Sequence, residues 1–487
     1  MRYLLWIMAV LLVGFSAPAV TNYVVPPGTT GVNPISAYTN WSTAATNIHD
    51  AFAASVNGNS IFITNGIYLL TNEIVVSSKV LTIRSYHDGY TDWTNTIIDG
   101  NNYMGKPGPI TNRCFVLNSN SSNLLDGFTI TGGRVRSNEY GGGVSMSGAH
   151  TVRNCRVTGN IAMYGGGIYA IGGLITNCSI VGNSVTNNQS GCGVYLYGGE
   201  MRNCVLSNNY GRTSASSGGG VFMRGDPLSS SAGGVAILRD CTISSNYAEN
   251  GGGIRAWNRE ESVLVTNCVI INNRANSSGG GVWMESTDNG GYGTNTGPFN
   301  LMQDCMISNN SAGTSGGGVT CGYGTNVVVR NCLIVSNAPE GIFFNRASAA
   351  SLQSYLVENC TIASNSVCGV KNASAAATNM VLNSIVYFNG TGGTSNWGGQ
   401  YQNWSNSCTL PAPVGGVNCT ALDPQFVDQG RNWRLSKVSP GIDRGFNQAW
   451  MLTGAMDLDH QHRRLINATV DMGAYEFLPG GTMFKFH

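Results

Sequence analysis

The sequence predicts an all-β chain wound as a parallel β-helix, a solenoid of roughly 12 coils with a helical cap at its N-terminus and an irregular capping segment at its C-terminus. Three observations predict it. The first is a phrase written eight times: Asn or Asp, cysteine, a free residue, an aliphatic, two free residues, asparagine. Its cysteines are Cys155, Cys178, Cys204, Cys241, Cys268, Cys305, Cys332 and Cys360, and a ninth copy keeps Val386 and Asn389 but has Ser384 in the cysteine's place. The second is Gly-Gly-Gly-Val/Ile, starting at Gly141, Gly165, Gly218, Gly251, Gly279 and Gly316, with a Gly-Cys-Gly variant at Gly191. The third is that the apolar runs between these phrases are short, alternate at period two and keep no helical 3.6 period.

Each element follows in order. Residues 20–110 hold a helical pattern at Ile48–Val56, suited to closing the first coil, then strand-like runs at Ser60–Thr64, Ile74–Val76, Leu81–Arg84 and Thr96–Ile98. Residues 111–390 form the regular ladder, with successive cysteines 23, 26, 37, 27, 37, 27 and 28 residues apart. In each coil the cysteine, the aliphatic two places on (Val157, Ile180 and their equivalents) and the aliphatic three places before (Val152, Ile175 and theirs) face inward. The Asn or Asp before each cysteine sits at a bend, where its side chain can bond to the next coil's equivalent. Residues 391–422 read as an irregular insertion, and charge returns over 423–478.

Composition excludes some functions. Only 10% of residues are charged, against roughly 25% in ordinary domains. The net charge of +1 implies neither nucleic acid nor an anionic membrane as partner. Residues 1–19 read as a secretory signal: Arg2, the apolar run Tyr3–Phe15, then Ala17-Pro18-Ala19. A secreted, extracellular or cell-surface location is expected, as a monomer. No other segment is long and apolar enough for a transmembrane helix. The eight ladder cysteines point the same way from parallel coils, so they are expected to stay reduced. Cys408 and Cys419 flank a Pro/Gly-rich stretch, and a disulfide between them is left open.

A packed solenoid interior leaves function to its outer faces and loops. On the strand after each triple glycine the outward residues are Ser145, Tyr169, Tyr195, Phe222, Arg255, Trp283 and Thr320, then two places on Ser147, Ile171, Tyr197, Arg224, Trp257, Glu285 and Gly322. Exposed aromatics in a row suit the apolar faces of sugars. Tyr169, Tyr195, Tyr197, Phe222, Trp257, Trp283 and Glu285 are thus candidates for binding substrate; cross-coil stacking is the competing explanation. Long segments at Asp226–Gly234 and Thr287–Phe299 rise beside this face. Asp226, Glu260 and Asp288 fall at nearly one offset, with Glu261 and Glu285 near. Stacked carboxylates roughly 5 Å apart could serve as acid and nucleophile or hold Ca²⁺, with Arg224 or Arg255 as the base of a lyase. Solvated loop acids paired with arginines are the alternative. Asp457, Asp459, Asp471 and Glu476 could likewise bind calcium or serve as caps.

The segment Asp423-Pro424-Gln425-Phe426-Val427-Asp428, Trp433-Arg434-Leu435, Ser439-Pro440-Gly441-Ile442-Asp443-Arg444-Gly445 and Asp471-Met472-Gly473-Ala474-Tyr475-Glu476 resembles the choice-of-anchor Q domain. The ladder resembles the pectate-lyase-like superfamily, which implies a right-handed parallel β-helix and a bacterial protein that acts on or binds polysaccharide. The Gly-His-Gly, Asn-Thr-Asp and Asp-Asp motifs of polygalacturonases are missing. The tail 479–487 carries no apolar run, so release and surface attachment both stay open. Three classes remain: a binder of extended polysaccharide or cell-surface glycan, a polysaccharide lyase or glycoside hydrolase, and a structural or adhesive surface protein.

Overall fold

The computed structural model describes residues 19–86, 94–101, 112–118, 122–135, 139–186, 189–211, 215–225, 234–258, 261–286, 300–322, 326–345, 354–373, 378–399, 403–453, 455–460 and 469–478. Three parallel sheets of 14, 13 and 12 strands run the length of the molecule. The first holds the strand before each ladder cysteine, such as Thr151–Arg153 and Leu174–Thr176; the second holds the strand after it, such as Arg156–Thr158 and Ser179–Val181. The third holds the strand after each triple glycine, such as Val144–Ser147 and Ile168–Ile171. A narrow sheet of six two-residue strands fills one corner, from Ile161–Ala162 to Ser311–Ala312. The chain is an all-β right-handed parallel β-helix.

Register carries the sequence pattern into space. Val152 pairs with Ile175, Val157 with Ile180 and Val144 with Ile168, and all six are fully buried. The ladder cysteines stack among them in one core cluster and are free thiols. Burial pushes the Cys178, Cys268 and Cys332 thiols well above their ordinary range. The residue before each cysteine makes the corner itself: Asn154, Asn177, Asn203, Asp240 and Asn267 have φ of 51°, 53°, 53°, 56° and 50°. Asn and Asp tolerate this left-handed region better than other residues with a Cβ. The expected bonds between equivalents also form, from Asn267 Nδ2 to Asp240 (2.6 Å) and from Asn383 Nδ2 to Asn359 Oδ1 (3.2 Å).

The asparagine that closes each phrase builds a second interior column. Asn246 shows its pattern. Its Oδ1 accepts both the backbone N–H and the Nδ2 of Asn209 one coil back, at 3.0 Å each. Its Nδ2 donates to the Leu206 carbonyl (2.9 Å) and to Asn273 Oδ1 in the next coil (3.0 Å). The same bonds recur from Asn160 through Asn389, and these side chains are buried.

The ends are finished differently. The helix Ile48–Ala54, capped by Asn47 accepting the His49 N–H, places Ile48, Ala51 and Phe52 in the main core. Strands follow at Ser60–Thr64, Ile74–Ser77, Thr82–Tyr86 and Thr96–Asp99. At the far end each sheet gains a strand beyond Asn389, in Trp397–Gly399, Asn403–Ser405 and Cys408–Thr409. Residues 391–422 read as irregular because the columns change spelling there. Asn396 Oδ1 accepts the Asn389 N–H (2.9 Å), and Ser407 Oγ accepts the Ser384 N–H (3.1 Å). Asn418-Cys419 repeats the corner, with Asn418 at φ 53° and the Cys419 Sγ directed at the Val417 carbonyl two residues back. Cys419 packs on the main core, while Cys408 joins Ile385, Leu435 and Met472 in a separate cluster; both are free thiols.

The C-terminal segment lies along the outward side of the second sheet at the last coils. Trp433, Ala474 and Tyr475 cover Leu333, Val335 and Ala363, while Leu435 and Met472 cover Ile385 and Tyr387. Corner asparagines hold its backbone: Asn383 exchanges two bonds with Phe446 (2.7 and 2.8 Å), and Asn331 Nδ2 donates to the Met456 carbonyl (3.0 Å).

Candidate functional site

The third sheet places the outward aromatics where the sequence puts them. Tyr169, Tyr195, Phe222, Arg255 and Trp283 pair in successive coils, as do Ile171, Tyr197, Arg224, Trp257 and Glu285. Their surroundings differ from the expected row of exposed rings. Tyr195, Tyr197 and Phe222 are only 7%, 8% and 3% exposed, and Tyr169, Trp257 and Trp283 are half-buried. The reason is geometric. Coils repeat at about 4.8 Å, close to the stacking distance of aromatic rings, so outward rings fold onto one another. Tyr140, Tyr169, Tyr195 and Phe222 stack in sequence with centroids 4.8, 5.2 and 4.8 Å apart, and Trp257 meets Phe222 edge-on at 6.1 Å.

Two arginines are built into this stack. The Arg224 guanidinium lies 4.8 Å from the Tyr197 ring and 5.0 Å from the Trp257 ring. Burial pushes the Tyr195 phenol's pKa up, and the Arg224 guanidinium beside it opposes that. Arg255 lies 5.3 Å from the Trp283 ring and 5.9 Å from the Phe222 ring. It is ion-paired to Glu285 through Nε (3.0 Å) and Nη2, and its Nη1 donates to Ser217 Oγ. Glu285, expected to meet substrate, is 7% exposed and committed to Arg255. Arg255, offered as a base, is committed in return. The sequence could have flagged this pair, since neighbouring outward positions one coil apart carry opposite charges.

The acids Asp226, Glu260 and Asp288 lie outside the described residues; Glu261 is half-buried at the edge of a first-sheet strand. Among the described residues no group of three or more His, Cys, Asp or Glu side chains could hold a metal ion. The C-terminal acids instead cap the backbone. Asp457 accepts the N–H of Asp459 and Glu476 (both 2.9 Å), Asp471 accepts the N–H of Asp443 (2.7 Å), and Asp459 pairs with Arg434. No helix among the described residues is long and apolar enough to cross a membrane.

A family comparison agrees with the fold. Residues 175–355 match the family described as "Right handed beta helix region". No curated protein matches the chain. Similar solved structures include pectate lyase Pel9A (13% identity, TM-score 0.44, covering 95% of this chain and 97% of that one). Another is XylC in complex with xylose (8% identity, TM-score 0.43, 95% and 99% covered). A third is a rhamnogalacturonan lyase (13% identity, TM-score 0.24, 86% and 96% covered).

Proposed function

We propose that this chain is an exported or surface-held β-helix that binds extended polysaccharide along the third sheet without cleaving it. One observation carries the reading: in a chain only 10% charged, aromatics and arginines concentrate on one outward face over consecutive coils. The buried Tyr195, Tyr197 and Phe222 serve as its floor. A sugar would meet the half-buried Tyr169, Trp257 and Trp283 and the flank of Arg224. Binding is favoured over catalysis because Arg255 and Glu285 already satisfy each other. The C-terminal segment, similar to choice-of-anchor Q, would keep the last coils closed in the extracellular setting. Asp226, Glu260 and Asp288, with or without Ca²⁺, belong to the second reading, a lyase or hydrolase.

The test is a panel of neutral and acidic polysaccharides, with and without Ca²⁺, followed by binding, by unsaturated-product absorbance and by reducing ends. Covering one sugar face with a ring contributes on the order of 1–2 kcal/mol. Trp257→Ala and Trp283→Ala should each weaken binding about tenfold. Phe222→Ala should lower the melting temperature more than either. Polymer cleavage would hand the face to the second reading. Tryptophan variants that lose stability while binding normally would make the stack purely structural.

A further inference from the structure

The large outward side chains of the third sheet stop after Trp283 and Glu285. In the next coil Thr320 pairs with Trp283, and the residue that continues the column of Tyr197, Arg224, Trp257 and Glu285 is Gly322. The place of the missing side chain is taken by the Trp283 indole. A Cβ on Gly322 would stand 2.5 Å from Trp283 Nε1 and 3.1 Å from Glu285 Cβ. The indole thus leans diagonally, one coil forward and one column across. Its Nε1 is buried there without a hydrogen-bond partner among the described residues, although a buried indole N–H usually finds one. Packing over a bare Cα, not a bond, holds that edge inward. Because Nε1 is the only polar atom of the indole, the part of this half-buried ring that meets solvent is carbon.

The Gly322 backbone is pinned on both sides. Its N–H donates to the Met284 carbonyl of the preceding coil (2.6 Å), and its carbonyl accepts the Tyr355 hydroxyl of the following coil (2.6 Å). Tyr355 is 1% exposed, and its ring stacks on Phe344 at 5.1 Å. A side chain at 322 would therefore displace the indole rather than the backbone. The φ of Gly322 lies outside the left-handed region, so the backbone conformation does not itself call for glycine here. We propose that Gly322 is a positioning residue that seats the Trp283 indole with its nitrogen edge inward and its carbon surface outward, as a platform for one sugar ring. This rests on the glycan reading above and sharpens it. Seated so, Trp283 offers a ligand ring surface and no N–H, a contact that suits the apolar C–H face of a pyranose rather than its hydroxyls. Arg255, 5.3 Å from the same ring and paired to Glu285, steadies it.

Two readouts on the full chain test the proposal. The first needs no glycan: oxidation of Trp283 by N-bromosuccinimide, followed by peptide mass spectrometry. Gly322→Ala should raise its rate several-fold, because the displaced indole moves toward solvent. The second is affinity for the best-bound polysaccharide of the panel. Gly322→Ala should weaken it about tenfold, as Trp283→Ala does, and should cost nothing further in a Trp283→Ala chain. If Gly322→Ala lowers the melting temperature, the double variant, with no indole to displace, should melt with Trp283→Ala. An unchanged oxidation rate, a further loss of affinity in the Trp283→Ala chain, or a double variant that stays destabilised would each overturn the proposal. A wild type that binds no polysaccharide, while Gly322→Ala still speeds oxidation, would overturn the glycan reading and leave the seat of the indole standing.

Discussion

Two columns run side by side through the interior, one of asparagine and one of cysteine, and they tolerate change differently. The asparagine column keeps its residue from Asn160 to Asn389 and continues in Asn396. The cysteine column gives way to Ser384 and Ser407. The difference lies in how many bonds each side chain makes. Asn246 joins Asn209, Leu206 and Asn273 through two acceptances and two donations. No other side chain of that size donates and accepts in that arrangement. A ladder cysteine directs its thiol mainly at the carbonyl two residues back, as Cys241 does at Arg239 (3.1 Å), with the Met201 carbonyl one coil back farther off (4.0 Å), and Cys241 receives one long N–H contact, from Cys204 at 3.4 Å. A hydroxyl does both. Repetition in sequence therefore marks where geometry repeats, while invariance within the repeat marks where hydrogen bonding has no substitute.

The comparison would break most visibly at Asn246. Asn246→Ala removes four hydrogen bonds and strands the Asn209 N–H inside the core. The expected cost is about 3–5 kcal/mol, read as a lower urea midpoint. A loss below about 1 kcal/mol would mean that water fills the gap and that the column is not what ties the coils.

His150 sharpens the contrast, because it is an interior polar residue outside either column. It is fully buried, its Nδ1 accepts the Asn123 N–H (3.1 Å), and its Nε2 donates to the Ser147 carbonyl (3.0 Å). Protonation would set a second N–H against that of Asn123. Burial lowers its pKa below the ordinary histidine value of about 6.5. The unfolded chain therefore takes up the proton first. Stability is full above pH 6.5 and falls as pH drops below it, by up to about 1.4 kcal/mol per unit. His150→Leu should flatten that slope relative to the wild type between pH 6.5 and 5. An unchanged slope would place the acid sensitivity elsewhere, His49 being the next group whose burial lowers its pKa.

Much of this interior was legible in the sequence, because each column is a fixed offset in a repeated phrase. Strand boundaries, inward faces and the outward aromatics follow from period two alone. Burial of Tyr195, Tyr197 and Phe222 does not follow, since it comes from rings meeting across coils rather than along the chain. The left-handed corner at Asn154 and its equivalents was hinted at by Asn and Asp alone. The seat of the C-terminal segment was readable in principle. The outward column of the second sheet runs Arg156, Ser179, Val205 and Thr242 in early coils and turns mostly apolar later, with Val269, Met306, Leu333, Thr361 and Ile385. That shift is visible only once inward and outward positions are separated for every coil.

The smallest effect discriminates best between the two accounts of the cysteine column. If that column is chiefly hydrophobic packing, valine should replace cysteine better than serine does. If it is chiefly a hydrogen-bonding column, the order reverses. The chain has already performed the serine exchange. Ser384 Oγ donates to the Leu382 carbonyl (2.8 Å) and accepts the Cys360 N–H (3.1 Å), matching what Cys241 does with sulfur. Cys241→Ser should therefore cost no more than about 1 kcal/mol. Cys241→Val keeps the apolar bulk but leaves the Cys204 N–H without its acceptor and the Arg239 carbonyl without its thiol donor. It should cost about 1–3 kcal/mol. Urea midpoints of the two variants settle the order, and a valine variant at least as stable as the serine variant would return the column to packing.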